Sequence, residues 1–410
     1  MKVIIQSENL KKCAERAMSI GVMKYFGSFS SVKLTADRAN KRLVFRTVGV
    51  FDDSKYHNTK GCFTYASVWC YCHVIDDGSC YIDNDLFKRI LAMNGDIKLE
   101  SDEKTLKAST EKKKAEIPCK RIDEKDETIA PEIGGDVITS VSKEYLLDSF
   151  KNLSRMIEEK GNYSMCCYNV KERRGMMNIT SLCGAAALIN QTGFRIQDGT
   201  EFNIPSFVYN DLKTISKGNK KNAAEDLSIR LNDDYVRITG CDFDYIAPVD
   251  KREFLNVDRL MPSTFDYTFN AKAEDLCRIA TEYAKLPPKH PSGLNEKIYP
   301  ICFINYNGRV LCGTRREDYI TADVLDTENF TGFFDFAHSF DAKRIKDILS
   351  VFGDVDILVQ SGHGGSIGGW LISESPDSRN TNKESEYVSY ILPVRGHEDD
   401  LTAFTSFMNT

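Results

Sequence analysis

Residues 201–262 read EFNIPSFVYNDLKTISKGNKKNAAEDLSIRLNDDYVRITGCDFDYIAPVDKREFLNVDRLMP, and the order inside this stretch occurs three times in the chain. A short apolar run comes first, then a helix-like segment. Two alternating runs follow, DLSIRL and YVRITG, joined by Asn232-Asp233-Asp234, and a closing strand ends the unit. The earlier copy is SCYIDNDLFKRILAMNG (79–95), DIKLES (96–101), TLKAST (105–110) and AEIPCKRID (115–123). The later copy is GFFDFAHSFDAKRIKDILSVFG (332–353), DVDILVQS (354–361), GGWLIS (368–373) and SYILPVRG (389–396). A period this long exceeds that of stacked small repeats and indicates tandem domains. The expected domains are 1–130, 136–262 and 264–396, with a tail at 397–410.

Length agrees, since 410 residues suit about three domains of ~100–150 residues each. No apolar run reaches the ~18 residues of a membrane span, and MKVIIQSENLKK has too short an apolar stretch for a secretory signal. Thirteen cysteines, an odd count, fall on apolar strand or helix positions such as Cys13, Cys62, Cys166, Cys167, Cys277 and Cys302. They read as reduced, buried thiols of a cytoplasmic protein. Cys70, Cys72, His73 and Cys80 raise the thought of zinc, but the spacing lacks paired CxxC ligands, and strand packing is the expectation. No metal or cofactor is expected. The net charge of −6 argues against a surface that binds nucleic acid all over, and leaves room for a basic face on an acidic body.

Each copy opens with a strand and an amphipathic helix. In the first, Ser7 is the expected cap, with Leu10, Cys13, Ala14, Ala17 and Met18 on the buried stripe and Lys11, Lys12 and Arg16 on the polar side. Asn84 or Asp85 is expected to cap LFKRILAM, with Lys88 and Arg89 outward. In the second copy Ser142 caps a helix whose stripe is Leu146, Phe150, Leu153 and Ile157, with Lys151 and Arg155 polar-side. A hairpin turns around KERRG, AAALINQTGF reads as the next strand pair, and SKGNKKNAAED as a solvated loop. In the third, Leu276, Ile279, Ala280 and Tyr283 form the stripe, Asn307-Gly308 marks a hairpin, and Asp341 caps AKRIKDILSVF. The fold class is therefore α+β: three domains, each with two helices packed on antiparallel sheet.

Catalytic signatures are missing. GxxxxGK[ST], HExxH, GxSxG and paired CxxC do not occur. SGHGGSIGG lies between two strands and opens no helix, so it lacks the context of a phosphate loop, and His363 reads as a loop-tip residue. The chain is not expected to be an enzyme.

The ordered set FNIPSFVYNDLKTI, YVRITG and FLNVDRLMP in copy two, with YILPVR closing copy three, resembles the β sliding clamp of bacterial DNA polymerase III, over essentially the whole chain. The resemblance implies a DNA-clamp (processivity) fold in which two chains join head to tail. Six domains then close a ring round duplex DNA, with helices lining the hole, and the ring tethers the replicative polymerase, the clamp loader and other clamp-motif peptides. Where the family carries TDGHRL, this chain has Leu182-Cys183-Gly184-Ala185-Ala186-Ala187. That departure, the Cys62–Cys80 stretch and the tail imply a divergent member of a phage or mobile-element kind.

Three sites follow from the resemblance. Sequence-independent phosphate contacts are expected from Lys11, Lys12, Arg16, Lys88, Arg89, Lys151, Arg155, Lys213, Lys217, Arg278, Lys343 and Lys346; the bland alternative for each is a solvated helix face. A partner-peptide groove is expected from Leu182, Gly184, Ala187, Leu255, Arg259 and Leu260 of copy two. Copy three adds Ile298, Arg344, Ile367, Tyr390, Ile391, Leu392, Pro393, Val394 and Arg395, and ordinary core is the competing reading for the apolar ones. The ring joint sets Lys112, Lys113 and Lys114 against Glu317, Asp318 and Asp323 of a second chain, with backbone pairing carrying most of the strength. The competing functions are a non-closing, clamp-like processivity subunit that holds DNA electrostatically, a protein-interaction scaffold without DNA, and an enzyme using Cys166 or Cys167 as nucleophile.

Overall fold

The computed structural model describes residues 1–20, 31–51, 63–102, 104–120, 129–158, 162–217, 225–262, 264–288, 297–306, 309–315, 319–332, 338–364, 367–376 and 385–394, with 402, 406 and 407. The same element order runs through each copy, except that copy two has four strands between its helices where the others have five. Copy one holds β1 (Lys2–Gln6), α1 (Ser7–Met18), β2 (Ser31–Asp37), β3 (Arg42–Val50), β4 (Phe63–Tyr71), β5 (His73–Asp76), β6 (Gly78–Asp83), α2 (Asn84–Leu91), β7 (Asp96–Ser101), β8 (Thr105–Ser109) and β9 (Lys114–Pro118). Copy two holds β10 (Thr139–Ser142), α3 (Lys143–Leu153), β11 (Cys167–Arg173), β12 (Met176–Cys183), β13 (Ala186–Arg195), β14 (Glu201–Pro205), α4 (Phe207–Ile215), β15 (Asp226–Leu231), β16 (Tyr235–Thr239) and β17 (Phe243–Pro248). Copy three holds β18 (Phe265–Lys272), α5 (Ala273–Tyr283), β19 (Pro300–Tyr306), β20 (Arg309–Arg315), β21 (Ile320–Leu325), β22 (Glu328–Gly332), β23 (His338–Asp341), α6 (Ala342–Leu349), β24 (Asp356–Gly364), β25 (Ile367–Glu374) and β26 (Ser385–Ile391). Six α-helices over antiparallel sheet, among the described residues, make this an α+β fold.

The chain packs as two compact units. The first is Met1–Phe150, Arg195–Asp198 and Phe202–Arg252; the second is Lys151–Phe194, Gly199–Glu201 and Glu253–Thr410. In the first unit an eight-stranded sheet runs β10-β15-β16-β17-β4-β3-β2-β6, beside a five-stranded sheet β5-β1-β7-β8-β9. Here β17 of copy two pairs antiparallel with β4 of copy one, Phe243 facing Val68 and Ile246 facing Tyr65. In the second unit a sheet runs β11-β12-β13-β26-β25-β24-β18-β22, beside a four-stranded sheet β21-β20-β19-β23. Here β26 of copy three pairs antiparallel with β13 of copy two, from Ala186 opposite Ile391 to Thr192 opposite Ser385. Successive copies are thus joined by main-chain ladders.

Alternation explains the strands. In DLSIRL, Leu227 and Ile229 are buried while Asp226 is exposed and Ser228 half-buried. The turn to β16 is closed by Asn232, whose Oδ1 accepts from Asp234 N at 2.9 Å and Tyr235 N at 2.8 Å. The KERRG hairpin turns on Arg174 (φ 56°) and Gly175 (φ 77°), the left-handed pair that a two-residue turn requires. Under β3 and β4 lie Leu10, Cys13, Ala14 and Ala17 of α1, all buried. In the second unit Trp370 is fully buried against Phe303 and Phe340, ring centroids 4.5 and 4.4 Å away, and its Nε1 donates to Tyr267 Oη at 2.7 Å.

Several expectations shift. Ser7 does not cap α1; its hydroxyl accepts from Gly95 N at 3.2 Å, tying the helix start to the turn before β7. The cap of α2 is Asp83, which accepts from Asp85 N and Leu86 N, one residue ahead of the expected Asn84 or Asp85. Asp341 caps α6 through Lys343 N, and Ser142 Oγ accepts from Tyr145 N at the start of α3. AAALINQTGF is part of one ten-residue strand, β13, and not a strand pair. The Asn307-Gly308 turn and most of the SKGNKKNAAED loop lie outside the described residues, although Tyr306 and Arg309 pair on either side of the former.

Arg16 is the main correction. It was expected on the polar side of α1 as a phosphate contact, but it is 4% exposed. Its two terminal nitrogens donate to the Asp242 carboxylate at 2.6 and 2.7 Å, and Nε donates to Ile215 O at 2.6 Å. The carbonyl at the end of α4 and a carboxylate beside β17 satisfy the guanidinium, so it serves the interior of the first unit. Removing one partner of a buried pair leaves the other charge uncompensated, at a cost of ~3–5 kcal/mol. Arg16→Ala should therefore lose about 3 kcal/mol in urea unfolding, and Arg16→Met combined with Asp242→Leu should recover most of it.

A half-buried carboxyl on α4 sets a pH dependence. Tyr245 Oη, fully buried, donates to Asp211 Oδ2 at 2.6 Å. Burial pushes the Asp211 carboxyl up to about 6, against the pull of the tyrosine bond. Its folded value exceeds its unfolded one, so its contribution is full below pH ~4 and is lost as pH rises through about 6. Asp211→Asn keeps an acceptor for Tyr245 without the charge. Its stability gain over the parent should reach about 3 kcal/mol at pH 8, two pH units at ~1.4 kcal/mol each, and vanish at pH 4. Thermal melts at the two pH values measure it.

Candidate functional site

The second unit carries an apolar cluster built from strand ends and one short turn. Leu182, at the end of β12, and Ala187 and Ile189, in β13, form a buried cluster with Phe254 and Val257; Met165 and Met261 pack on it half-buried. Gly184 sits at the exposed β12–β13 turn, and a Cβ there would stand 3.8 Å from Met165 Cε. The ladder with β26 continues past its last pair, as Leu392 N donates to Ala185 O at 2.8 Å, and Val394 N donates to Ser339 O at 2.7 Å. These bonds hold Leu392, Pro393 and Val394 half-exposed beside the turn.

A 3-10 turn, Val257–Arg259, packs on the same cluster and is fixed through Asp258. Asn256 Oδ1 accepts from Asp258 N at 3.1 Å, and Arg173 pairs with Asp258 at 2.6 Å. Phe254 and Val257 plug into the cluster, and Leu255 between them is thrown outward, 51% exposed. Leu260 is half-buried and Arg259 exposed. On α6, Arg344 pairs with Glu158. Burial pushes the neighbouring Cys183 thiol up, and Arg344 pulls it partly back.

The expected groove residues therefore separate. Leu255, Leu260, Arg259, Gly184, Leu392, Pro393, Val394, Ile298 and Arg344 reach the surface at least in part. Leu182, Ala187, Tyr390 and Ile391 are at most 4% exposed and form core. Ile391 and Tyr390 face Ala186 and Ala187 in the ladder, which buries them from both sides. The side chain of Ile367 and all of Arg395 lie outside the described residues. Sequence reasoning missed Phe254, Val257, Arg173 and Glu158. Phe254, Val257 and Met261 do fall at helical spacing around Asn256, the one signal that could have marked them.

The expected DNA contacts are mostly on the surface, yet several have acidic neighbours. Lys11 lies 4.0 Å from Glu15, Lys88 2.7 Å from Asp85 and Arg278 3.4 Å from Glu282. Arg89, Lys151, Arg155, Lys217 and Lys343 are exposed, and Lys12 and Lys346 half-buried. Lys213 is exposed with its Nζ 5.7 Å from the centre of the Tyr209 ring. Arg155 and Lys346 both act on Cys277, whose thiol burial pushes up, so these two cations share one region of the second unit.

At the expected joint, β9 and β21 are each the last strand of their sheet. Lys112, Lys113 and Lys114 are exposed; Glu317 and Asp318 lie outside the described residues. Asp323 already accepts from Tyr283 Oη at 2.8 Å, so its carboxylate is engaged within its own chain. On β21, Val324 is 50% exposed, and Tyr319 just before it 43%.

Among the described residues no group of three or more His, Cys, Asp or Glu side chains is placed to hold a metal, and Cys70, Cys72, His73 and Cys80 do not gather into one. Cys166 and Cys167 are each 1% exposed, and Cys166 Sγ donates to Glu158 O at 3.2 Å. An attacking thiolate needs access that neither has.

No protein-family model and no curated protein matches the sequence. Solved structures do match, over nearly the whole chain. The DNA polymerase III subunit beta from Pseudomonas aeruginosa is 16% identical, with a TM-score of 0.76 over 97% of this chain and 100% of that one. The beta chain from Streptococcus pneumoniae is 11% identical, with a TM-score of 0.73 over 96% and 100%. The beta subunit from Streptococcus pyogenes is 9% identical, with a TM-score of 0.74 over 97% and 100%. At these identities the likeness is one of fold: the chain has the fold of the DNA polymerase III beta sliding clamps along its length.

The groove makes a test that needs no partner. Leu255→Ser should leave thermal stability nearly unchanged, whereas Phe254→Ala, at the adjacent residue but seated in the cluster, should cost ~3 kcal/mol. Equal losses in the two variants would mean that Leu255 is core and not a presented side chain.

Proposed function

We propose that the chain is a DNA sliding clamp, two copies of which join head to tail into a ring around duplex DNA. The reading is supported by the way its strands are used. The last strand of the first hairpin sheet in copy one, β4, pairs with the last strand of copy two, β17. The matching strand of copy two, β13, pairs with the last strand of copy three, β26. By the same rule β21 of copy three requires the closing strand of a fourth copy, and β9, closing copy one, requires the hairpin strand of a preceding one. Both are sheet edges in the single chain, and an unpaired edge is a template for another strand. A second chain supplies both. Domains 1–130, 136–262 and 264–396 are the units this ring would repeat.

The task of such a ring is mechanical. Closure links it to the DNA, and contacts inside need only be weak and sequence-independent, so the exposed helix cations serve as phosphate neighbours and not as a grip. Arg16 drops out of that set, and Asp323 would enter the joint with one oxygen already held by Tyr283. The groove of the second unit offers Leu255, Leu260, Leu392 and Val394 to an apolar peptide, with Arg259 and Arg344 at its margin, which suits the tethering of polymerase and loader. The clamp carries out no chemistry of its own and works in the cytoplasm. Among the described residues no helix is long and apolar enough to cross a membrane.

Light scattering across a dilution series should give twice the chain mass. After loading, the protein should stay on closed circular DNA in high salt and leave it once the DNA is linearised. Val324→Asp should raise the dimer dissociation constant by about tenfold or more by placing a charge on the joining edge, without unfolding the chain. A monomer at every concentration, or equal salt loss from circular and linear DNA, would overturn the ring.

A further inference from the structure

The face of the eight-stranded sheet turned away from the helices is not the bland exterior that an acidic chain suggests. Pairing registers put Lys33 opposite both Arg46 and Tyr81, Val44 opposite Trp69, and Arg42 opposite Tyr71. Opposed residues share a face, as do alternate residues along a strand. Lys33, Arg42, Arg46, Trp69, Tyr71 and Tyr81 therefore share one face, while Leu34, Leu43, Phe45 and Val68 point the other way and are buried.

One end of this face is closed. There Tyr65, Tyr235 and Ile246 are covered by Ile133 from the segment between copies one and two. The other end is open and combines rings with cations. Lys33 Nζ lies 5.1 Å from the centre of the Tyr81 ring, and Arg42 Cζ 5.1 Å from that of Trp69. Arg46 is exposed, and no ion pair is recorded for it among the described residues. Tyr71 is 72% exposed, two residues from Trp69 on the same face. The acids that the registers place on this face are engaged: Asp37 with Arg42 at 3.0 Å, Asp244 with Arg237 at 2.8 Å, and Asp83 with the N–H groups of Asp85 and Leu86.

We propose that this open sheet face binds single-stranded DNA. Bases stack on Tyr71 and along the Trp69 side of the sheet, and phosphates lie against Arg46 and Lys33. The chemistry selects the partner. Rings carried on a sheet face and rimmed by cations suit unpaired bases, whose faces are free, and not the closed stack of a duplex. An acidic peptide would use the cations and leave Tyr71 without a role. The proposal is independent of ring closure, because every residue it uses lies in the first unit of one chain.

The probe is a fluorescein-labelled 20-mer of thymidylate, read by anisotropy on the full chain in low salt. Binding is expected, with a duplex of equal length bound more weakly. Tyr71→Ala should weaken binding by about tenfold, in line with the loss of one stacked base. Arg46→Ala should weaken it and flatten the dependence of log affinity on log salt by about 0.7, the share of one phosphate contact. Both residues are exposed, so both variants should keep the parent's melting temperature. Retention on circular DNA should be the same for Tyr71→Ala and its parent. A chain that forms no ring would still bind the 20-mer, which separates the failure of one reading from that of the other. The proposal is overturned if both variants bind like the parent, if duplex binds as well as single strand, or if polyglutamate displaces the 20-mer while Tyr71→Ala has no effect.

Discussion

The constraint on which this structure depends is the antiparallel ladder between successive copies. Copies two and three each end on a strand whose outer edge is paired by the copy before it. Between β13 and β26 the register holds from Ala186–Ile391 to Thr192–Ser385, and Leu392 extends it by one more bond to Ala185. A ladder of this kind fixes the register of one copy against its neighbour, because a slip of one residue would exchange the two faces of β26, whose residues 387–391 are all buried. It also explains why the compact units cut through copy two. Half of that copy belongs by hydrogen bonding to copy one and half to copy three.

Much of this was legible in the sequence. The triple order of elements and the buried stripes of the helices follow from periodicity, as Leu276, Ile279, Ala280 and Tyr283 of α5 illustrate, all at most 3% exposed. Helix starts were less legible, since the cap depends on which carboxylate or hydroxyl reaches the free N–H groups. Asp83 does so at α2, while Ser7 is drawn away to Gly95. Arg16 was misread for a deeper reason. Its i,i+4 neighbourhood looks solvated, and the groups that bury it, Asp242 and Ile215, lie more than a hundred residues along the chain. Helical spacing carries no information about such partners.

The groove shows the same limit. An apolar strand such as YILPV signals burial, but burial beneath a surface and presentation at it look alike in sequence. What separates Tyr390 and Ile391 from Leu392 and Val394 is the register with β13, which ends at Ala186. Past that point only single bonds continue, from Leu392 N to Ala185 O and from Val394 N to Ser339 O, and the side chains are left half-exposed. Leu255 is set apart from Phe254 and Val257 by the asparagine cap and the Arg173–Asp258 pair, which fix the turn's rotation.

These placements bear on where the strength of a closed ring would reside. Three of the expected phosphate contacts, Lys11, Lys88 and Arg278, stand beside a carboxylate one helical turn away, and α5 carries Glu274, Asp275 and Glu282 against Arg278 alone. A cation already screened by its neighbour releases fewer counterions when a phosphate approaches, so each contact adds little affinity and little friction. Such a surface would let DNA pass and would not hold it. Residence would then be set by the lifetime of the joint between β9 and β21. With Asp323 turned inward to Tyr283, charge pairing can supply only part of that joint. The rest falls to main-chain bonds and to the exposed Tyr319 and Val324, the same combination of ladder and apolar cover that holds the two seams within the chain.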